Sequence, residues 1–320
     1  LYNSAKYIPG STLRGAYAAR LAKNTKEFKE IFLLEKVKFP SLYPMINNAI
    51  AYPSPDSILK AKYAEDSDRV FDQLKFLLIS SIENSRGKKL SVRNTREGKR
   101  LDRAGKWYAP GTGVFDSGES ATSTQVSLDS KLRSAKDGSL RTYNTHFHSQ
   151  MSGLFRSESE SLLSLLNEEW LYIGNSKTRG FGLVRVLEFR EHKIDLISEI
   201  KSFNESIRNV LPGEERTYVP ILLTSDLVPQ KDESIEMLMG SEFRLALSLL
   251  KTSHTSGWSS ASNIPKAFQN SISAGTVLIY STDLPVEESA KIVEKLYIKG
   301  LGKFTGSGYG QFVIYKVKEE

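Results

Sequence analysis

The sequence predicts an α+β protein of two tandem units, each in the order strand, helix, strand, strand, helix, strand that folds as an antiparallel, ferredoxin-like sheet with helices on one face. Three observations carry that expectation. A glycine run of fixed spacing occurs twice: Gly174, five residues, Gly180-Phe181-Gly182, and Gly302, five residues, Gly308-Tyr309-Gly310, at an offset of 128 residues. Each run is preceded by a helical pattern and followed by an alternating apolar strand. Between the copies, a strand end and a polar helix over 188–210 are closed by Pro212-Gly213, which marks a boundary. The expected units are 1–195 and 217–320, joined by a linker at 196–216, with an insertion at about 84–124 in the first. The first strand of the first unit is expected to precede Leu1.

In the first unit, Pro9-Gly10 leads into a helix reaching about Lys23, with Ser11 or Thr12 as N-cap and Leu13, Ala16, Tyr17 and Leu21 as its buried stripe. Four prolines between 36 and 55 predict extended loop with a short strand near 49–52. A helix follows at 66–82 through Val70, Phe71, Leu74, Leu77 and Leu78. Residues 84–124 are polar, basic and glycine-bearing, and read as a mobile inserted loop. A hairpin is expected from 125–132 and 140–155 with Asp137-Gly138 at its turn. Leucines 162, 163, 165 and 166 then give a helix at 157–169 before the first glycine run.

The second unit repeats the plan. An apolar strand at 218–224 precedes a helix at 236–250, placed by Leu238, Phe243, Leu247 and Leu250. A polar loop at 253–265 carries His254, Gly257 and Trp258, and a strand follows at 273–280. Pro285 starts a helix through Val286, Ala290, Val293 and Leu296, and the second glycine run opens into a closing strand at 312–315.

Composition narrows the function. The chain has 320 residues, a net charge of +7 and no cysteine, which removes disulfides, thiolate nucleophiles and cysteine-ligated zinc and suits a reducing, cytoplasmic setting. No apolar run is long enough to span a bilayer, so no membrane partner is expected. Between Arg86 and Lys106, nine basic residues stand against Glu97 and Asp102. That segment is readable as an RNA-clasping arm or as solvated loop. The spacing of Gly300, Gly302 and Gly306 misses the dinucleotide fingerprint and precedes a strand, and Gly10-Ser-Thr-Leu-Arg-Gly lacks the lysine of a phosphate-binding loop. His146 and His148 share a strand face without a nearby carboxylate, so neither a metal site nor any cofactor is expected.

The glycine runs, together with Ile8-Pro9-Gly10-Ser11-Thr12-Leu13-Arg14-Gly15, resemble the RAMP proteins of CRISPR effector complexes, whose ferredoxin-like domains end in a glycine-rich loop before the last strand. Leu223-Thr224-Ser225-Asp226, Gly257-Trp258 with Ile264-Pro265-Lys266, and Ser273-Ala274-Gly275-Thr276-Val277 are most similar to the subtype III-D tandem-RAMP subunit. The resemblance implies a non-catalytic, cytoplasmic subunit of a type III antiviral ribonucleoprotein. Such a subunit holds the repeat-derived 5′ tag of the crRNA and contacts the polymerase-like large subunit and the adjacent RAMP backbone subunit, with target RNA as a further expected partner.

Under that reading, backbone amides around Gly180, Gly182, Gly306, Gly308 and Gly310, and the helix start at Ser11, would receive phosphates. Arg14, Lys131, Arg133, Lys177, Arg179 and Lys303 would neutralise them, and Phe181, Trp258 and Tyr309 would stack bases. Phe181 and Tyr309 are equally readable as core filling beside the loops. The alternative activity is metal-independent cleavage of precursor crRNA with His146 or His148 as general base. Neither histidine lies in the N-terminal helix region where processing enzymes of this superfamily usually carry theirs.

Overall fold

A computed structural model describes residues 2–3, 6–21, 25–61, 70–85, 95–96, 99–103, 106–110, 113–115, 119–129, 131, 133–147, 150–174, 182–231, 233–259 and 264–316. The chain is a mixed α/β protein of small, mostly antiparallel sheets and a few helices; a short strand at Tyr2–Asn3, after Leu1 rather than before it, pairs parallel with Tyr143 and Asn144. Helix α1 (Gly10–Ala18) starts on Pro9, whose extended backbone makes it the N-cap in place of Ser11 or Thr12, and it stops short of Lys23. Leu13, Ala16 and Tyr17 form its buried stripe as the spacing requires.

The proline-rich stretch holds more strand than its prolines suggest. Strands β1 (Tyr43–Ile46) and β2 (Ala49–Ile50) form a tight hairpin. Its turn residues, Asn47 and Asn48, both take positive φ, which asparagine tolerates better than most residues. Helix α2 (Leu74–Ser85) occupies the second half of the expected helix, after a short strand, Val70–Asp72.

The insertion is not simply loop. Strand β3 (Trp107–Ala109) is buried along its whole length, so Trp107 and Tyr108 belong to the core. Residues Thr95–Arg96 and Lys99–Arg103 also form strands, paired with each other and, through the second, with Ile58–Ala61. Strands β4 (Glu119–Gln125) and β5 (Arg141–Phe147) make the expected hairpin, but its first arm lies before the predicted one. Val126 and Leu128, read as strand, are exposed in the connection. Helix α3 (Glu160–Ser164) is shorter than predicted, because the residues after it turn and enter strand β6 (Trp170–Tyr172), paired with β7 (Leu183–Arg185).

The second half is more regular. The expected linker contains helix α4 (Leu196–Arg208), N-capped by Asp195 and packed into the core. Strand β8 (Thr217–Leu223) follows. No helix forms at 236–250: a single 3-10 turn at Ile235–Met237 gives way to strand β9 (Arg244–Leu249). Gly240 with φ +98° breaks the helical path, and Arg-Leu-Ala-Leu-Ser-Leu alternates with the period of a strand. The expected polar loop is instead a long ribbon, β10 (Thr252–Ser259) against β11 (Ile264–Ile272). Strand β12 (Val277–Thr282), helix α5 (Val286–Lys299) and strand β13 (Phe312–Ile314) complete the chain as expected.

The four-stranded antiparallel sheet of this half has the order β9-β12-β8-β13. Helix α4, arriving from before the first strand, lies beside α5 on one face; Leu196, Ile200, Ala290 and Val293 pack there with Val219, Ile221 and Leu278. A ferredoxin-like sheet with helices on one face would leave the opposite face open. It is covered instead: Tyr218, Leu222, Val277, Ile279 and Tyr315 share one core with Tyr43, Tyr52, Ile58, Leu74, Leu78, Trp107 and Tyr108 of the first half. Burial of apolar surface at roughly 25 cal/mol per Å² makes this contact a main source of stability. Among the described residues, no helix is long and apolar enough to cross a membrane.

Candidate nucleic-acid interface

The second glycine run is closed on itself by main-chain hydrogen bonds. The Leu301 amide donates to the Gly310 carbonyl at 2.9 Å, Gly308 to Thr305 at 3.1 Å, and Gly310 to Asp226 at 2.8 Å. The Gly308 and Gly310 amides are spent on holding the loop, which corrects their expected role as phosphate donors. Gly306 and Gly308 serve close packing. A Cβ on Gly308 would lie 2.6 Å from the Phe39 carbonyl oxygen and 2.8 Å from the Cα of Gly10, and one on Gly306 would strike the Glu35 side chain. Only glycine at both Gly10 and Gly308 lets the start of α1 approach this loop so closely. Two motifs nearly three hundred residues apart in sequence therefore form one structure.

The first run repeats the closure. The Ile173 amide donates to the Gly182 carbonyl at 2.8 Å, in the place of Leu301 and Gly310 at the 128-residue offset. Gly174 and Gly302 take φ of +85° and +70°, and Gly182 and Gly310 take +81° and +65°. At both Gly182 and Gly310, a side chain would collide with the carbonyl oxygen of the residue just named, Ile173 or Leu301. Lys177, Arg179, Gly180 and Phe181 lie outside the described residues.

Around the second loop the side chains divide into inward and outward sets. Arg14 lies against Phe32, donates to its carbonyl and pairs with Glu35 at 3.8 Å, so its guanidinium is engaged within the fold. Ser11 is half-buried in the first turn of α1. Tyr309 is also half-buried, meets Phe304 edge-on at 6.1 Å and shares a side-chain hydrogen bond with Thr255. Burial, then the negative charge of Asp226, raises its phenol pKa. The same causes, with Tyr309 third, push Tyr7 up to about 12. Lys303 and Phe304 point outward, Phe304 from a left-handed backbone conformation with φ +59°.

Other outward groups lie on the two hairpins. Lys131 and Arg133 are exposed in the connection between β4 and β5, and Arg133 has φ +50°. On the ribbon, Lys266 is exposed and Phe268 is 80% exposed. Trp258 is on β10 opposite Pro265, and His146 is on β5 opposite Ser120; their side chains are outside the described set, as is all of His148. Among the described residues, no group of three or more His, Asp or Glu is placed to hold a metal ion.

Sequence reasoning missed Asp226 as an organiser. Its carboxylate accepts from the Ala274 amide at 2.9 Å and from the Ser253 hydroxyl at 3.4 Å, and its carbonyl takes the Gly310 amide. Ser225 and Gln311 tie the same region down: the Gln311 amide donates to the Ser225 hydroxyl, and its side chain donates to the Phe39 carbonyl. The signal was the Thr-Ser-Asp run after β8, three residue types that bond to nearby backbone. Phe268 was missed because a lone aromatic between Ala267 and Gln269, outside the loop and strand the sequence suggested, carries no periodic signal.

A mixed α/β chain with glycine-closed loops of this spacing defines a class of fold, and sequence comparison places it. The chain belongs to the RAMP superfamily, whose family model matches residues 2–185. No curated protein matches it. Similar solved structures include a chain of the type III-B Cmr-beta complex bound to cognate target RNA and AMPPnP in state 1, at TM-score 0.47 and 12% identity over 92% of this chain and 81% of that one. A chain of Cmr-beta bound to cognate target RNA aligns at TM-score 0.47 and 13% identity over 86% and 76%.

Proposed function

We propose that the chain is a non-catalytic, crRNA-binding subunit of a type III CRISPR ribonucleoprotein, built as two ferredoxin-like units related by duplication. In this reading it holds the 5′ repeat-derived tag and joins the polymerase-like large subunit to the RAMP backbone, in the manner of the subtype III-D tandem-RAMP subunit. Membership of the RAMP superfamily supports it, and so does the shared closure of the two glycine runs.

The observation that carries the reading is the division of labour in the second loop. Its glycines are locked against α1 and Phe39, while Lys303 and Phe304 are held outward on a rigid base. A cation and an aromatic face fixed side by side suit a single-stranded polyanion, one neutralising phosphate and the other stacking a base. Lys131, Arg133 and Lys266 are further exposed basic residues on the two hairpins. RNA contact therefore falls to side chains at the loop tips, with the glycines setting the geometry behind them.

The test is to purify the chain with its bound RNA from a CRISPR-expressing host and sequence that RNA. Recovery of guide RNAs sharing one 5′ end supports the proposal. Recovery of no RNA, or of unrelated cellular RNA, counts against it.

A further inference from the structure

Strands β6 and β7 carry an exposed aromatic face. Leu171 is buried and Val184 half-buried on one side of the pair, while Trp170, Tyr172, Leu183 and Arg185 stand on the other. Trp170 is 43% exposed and Tyr172 46%, far more than core rings of this size. The register sets Trp170 opposite Arg185 and Tyr172 opposite Leu183. The Arg185 guanidinium lies 5.7 Å from the Trp170 ring centroid, so the cation shares the aromatic face. Arg20, at the end of α1, donates to the Trp170 carbonyl at 3.1 Å and pairs with Glu168 at 2.8 Å, fixing the strand from behind.

We infer that this face is a second RNA-binding platform, on which Trp170 and Tyr172 each stack one base of a single strand and Arg185 meets the adjoining phosphate. The inference rests on the RNA-binding reading above and deepens it. Residues two apart on a strand repeat about every 6.6 Å on one face, close to twice the roughly 3.4 Å rise per nucleotide of a stacked strand. A single strand stacked at that rise therefore brings every second base into register with the two rings. Sheet-borne aromatics bind single-stranded RNA in this way.

Charge favours a nucleic acid over a protein at this face. Arg20 and Arg185 are balanced by Glu168 and Glu169, and in sequence the ten residues joining the strands, 173–182, add Lys177 and Arg179 with no acid. The local excess is positive, as a phosphate chain requires.

The experiment measures binding of a fluorescein-labelled, single-stranded RNA of mixed sequence to the full chain and to Trp170→Ala, Tyr172→Ala and Trp170→Phe, across a range of salt. Each alanine variant is expected to weaken binding by about fivefold or more. Trp170→Phe, which keeps a ring, stays near the parent. The salt slope is unchanged, because no phosphate contact is removed. Melting temperatures should match, since both rings are on the surface.

Alanine variants that bind as well as a binding-competent parent overturn the platform and leave the RNA-binding reading standing. A parent that binds no RNA overturns both. Unchanged RNA affinity with loss of co-purifying protein subunits makes the face a protein contact and overturns the proposal, as does a flattened salt slope.

Discussion

The guanidinium of Arg156 lies 3.6 Å from the ring centroid of Tyr297 and donates to the Tyr297 carbonyl at 3.0 Å. Its other terminal nitrogen donates to Phe312 at 2.7 Å, so one first-half side chain clamps α5 and β13 of the second. Arg156 is 5% exposed. Replacing it by methionine keeps the stem and removes the donors, leaving two backbone carbonyls without them. The expected loss is at least about 2 kcal/mol, read as a lower urea midpoint at unchanged m.

Gly174 and Gly302 have matching positive φ but different surroundings. Nothing lies within 4 Å of a Cβ built on Gly174, whereas one on Gly302 would collide with the Val228 carbonyl. Gly174→Ala should cost about 1 kcal/mol of backbone strain. Gly302→Ala adds overpacking of about 1–3 kcal/mol to the same strain. Thermal melting of the two variants checks the difference; equal shifts would mean that the two glycines do not differ in surroundings as the geometry says.

Lys303 and Gly308 belong to one loop and should fail differently. Lys303→Glu leaves melting unchanged, weakens RNA binding and lowers the salt slope by about 1. Gly308→Ala must push against Phe39 and Gly10 from a φ of +88°, and so lowers the melting temperature first. Measuring both quantities on both variants separates the contact surface from the base that supports it.

Tyr7 gives a pH prediction. Its phenol is pushed up to about 12 by burial, then by Asp226 and Tyr309, against 10.0 for the ordinary group. Above pH 10 the unfolded chain loses this proton first, so the stability contribution is complete below pH 10 and disappears as pH rises towards 12. Urea titrations between pH 9 and about 12 should show a shallower decline for Tyr7→Phe than for the parent. Parallel declines would remove Tyr7 from the account.

If the subunit is non-catalytic as proposed, His146→Ala and His148→Ala leave RNA binding unchanged and precursor crRNA uncut, as in the parent. Cleavage of a precursor crRNA by the purified chain, lost in either variant, would replace the binding role with a nuclease.

Local chemistry was legible in the sequence where it decided the structure. Pro285 with Val286, Ala290 and Val293 specified α5, and the glycine spacing announced two loops that close alike. Where tertiary pairing decided, it was not. Leu238, Phe243 and Leu247 satisfy helical spacing, yet Arg244–Leu249 pairs with β12, and the sheet overrides propensity. Trp107 and Tyr108 sit among polar and basic residues, and only their packing partners 52, 58 and 315 make them core. The site was readable as residue types but not as roles. Nothing in the order of letters tells that Gly308 faces Gly10, and that contact converts expected phosphate donors into packing.

The shared core has a genetic corollary. A gene cut between codons 190 and 195 would encode two polypeptides, each with a bare greasy surface: one missing the cover on Tyr218, Leu222 and Ile279, the other missing the cover on Tyr52 and Trp107. Made separately, both would precipitate. Made together, they would reassemble, because each half carries the lid that the other needs.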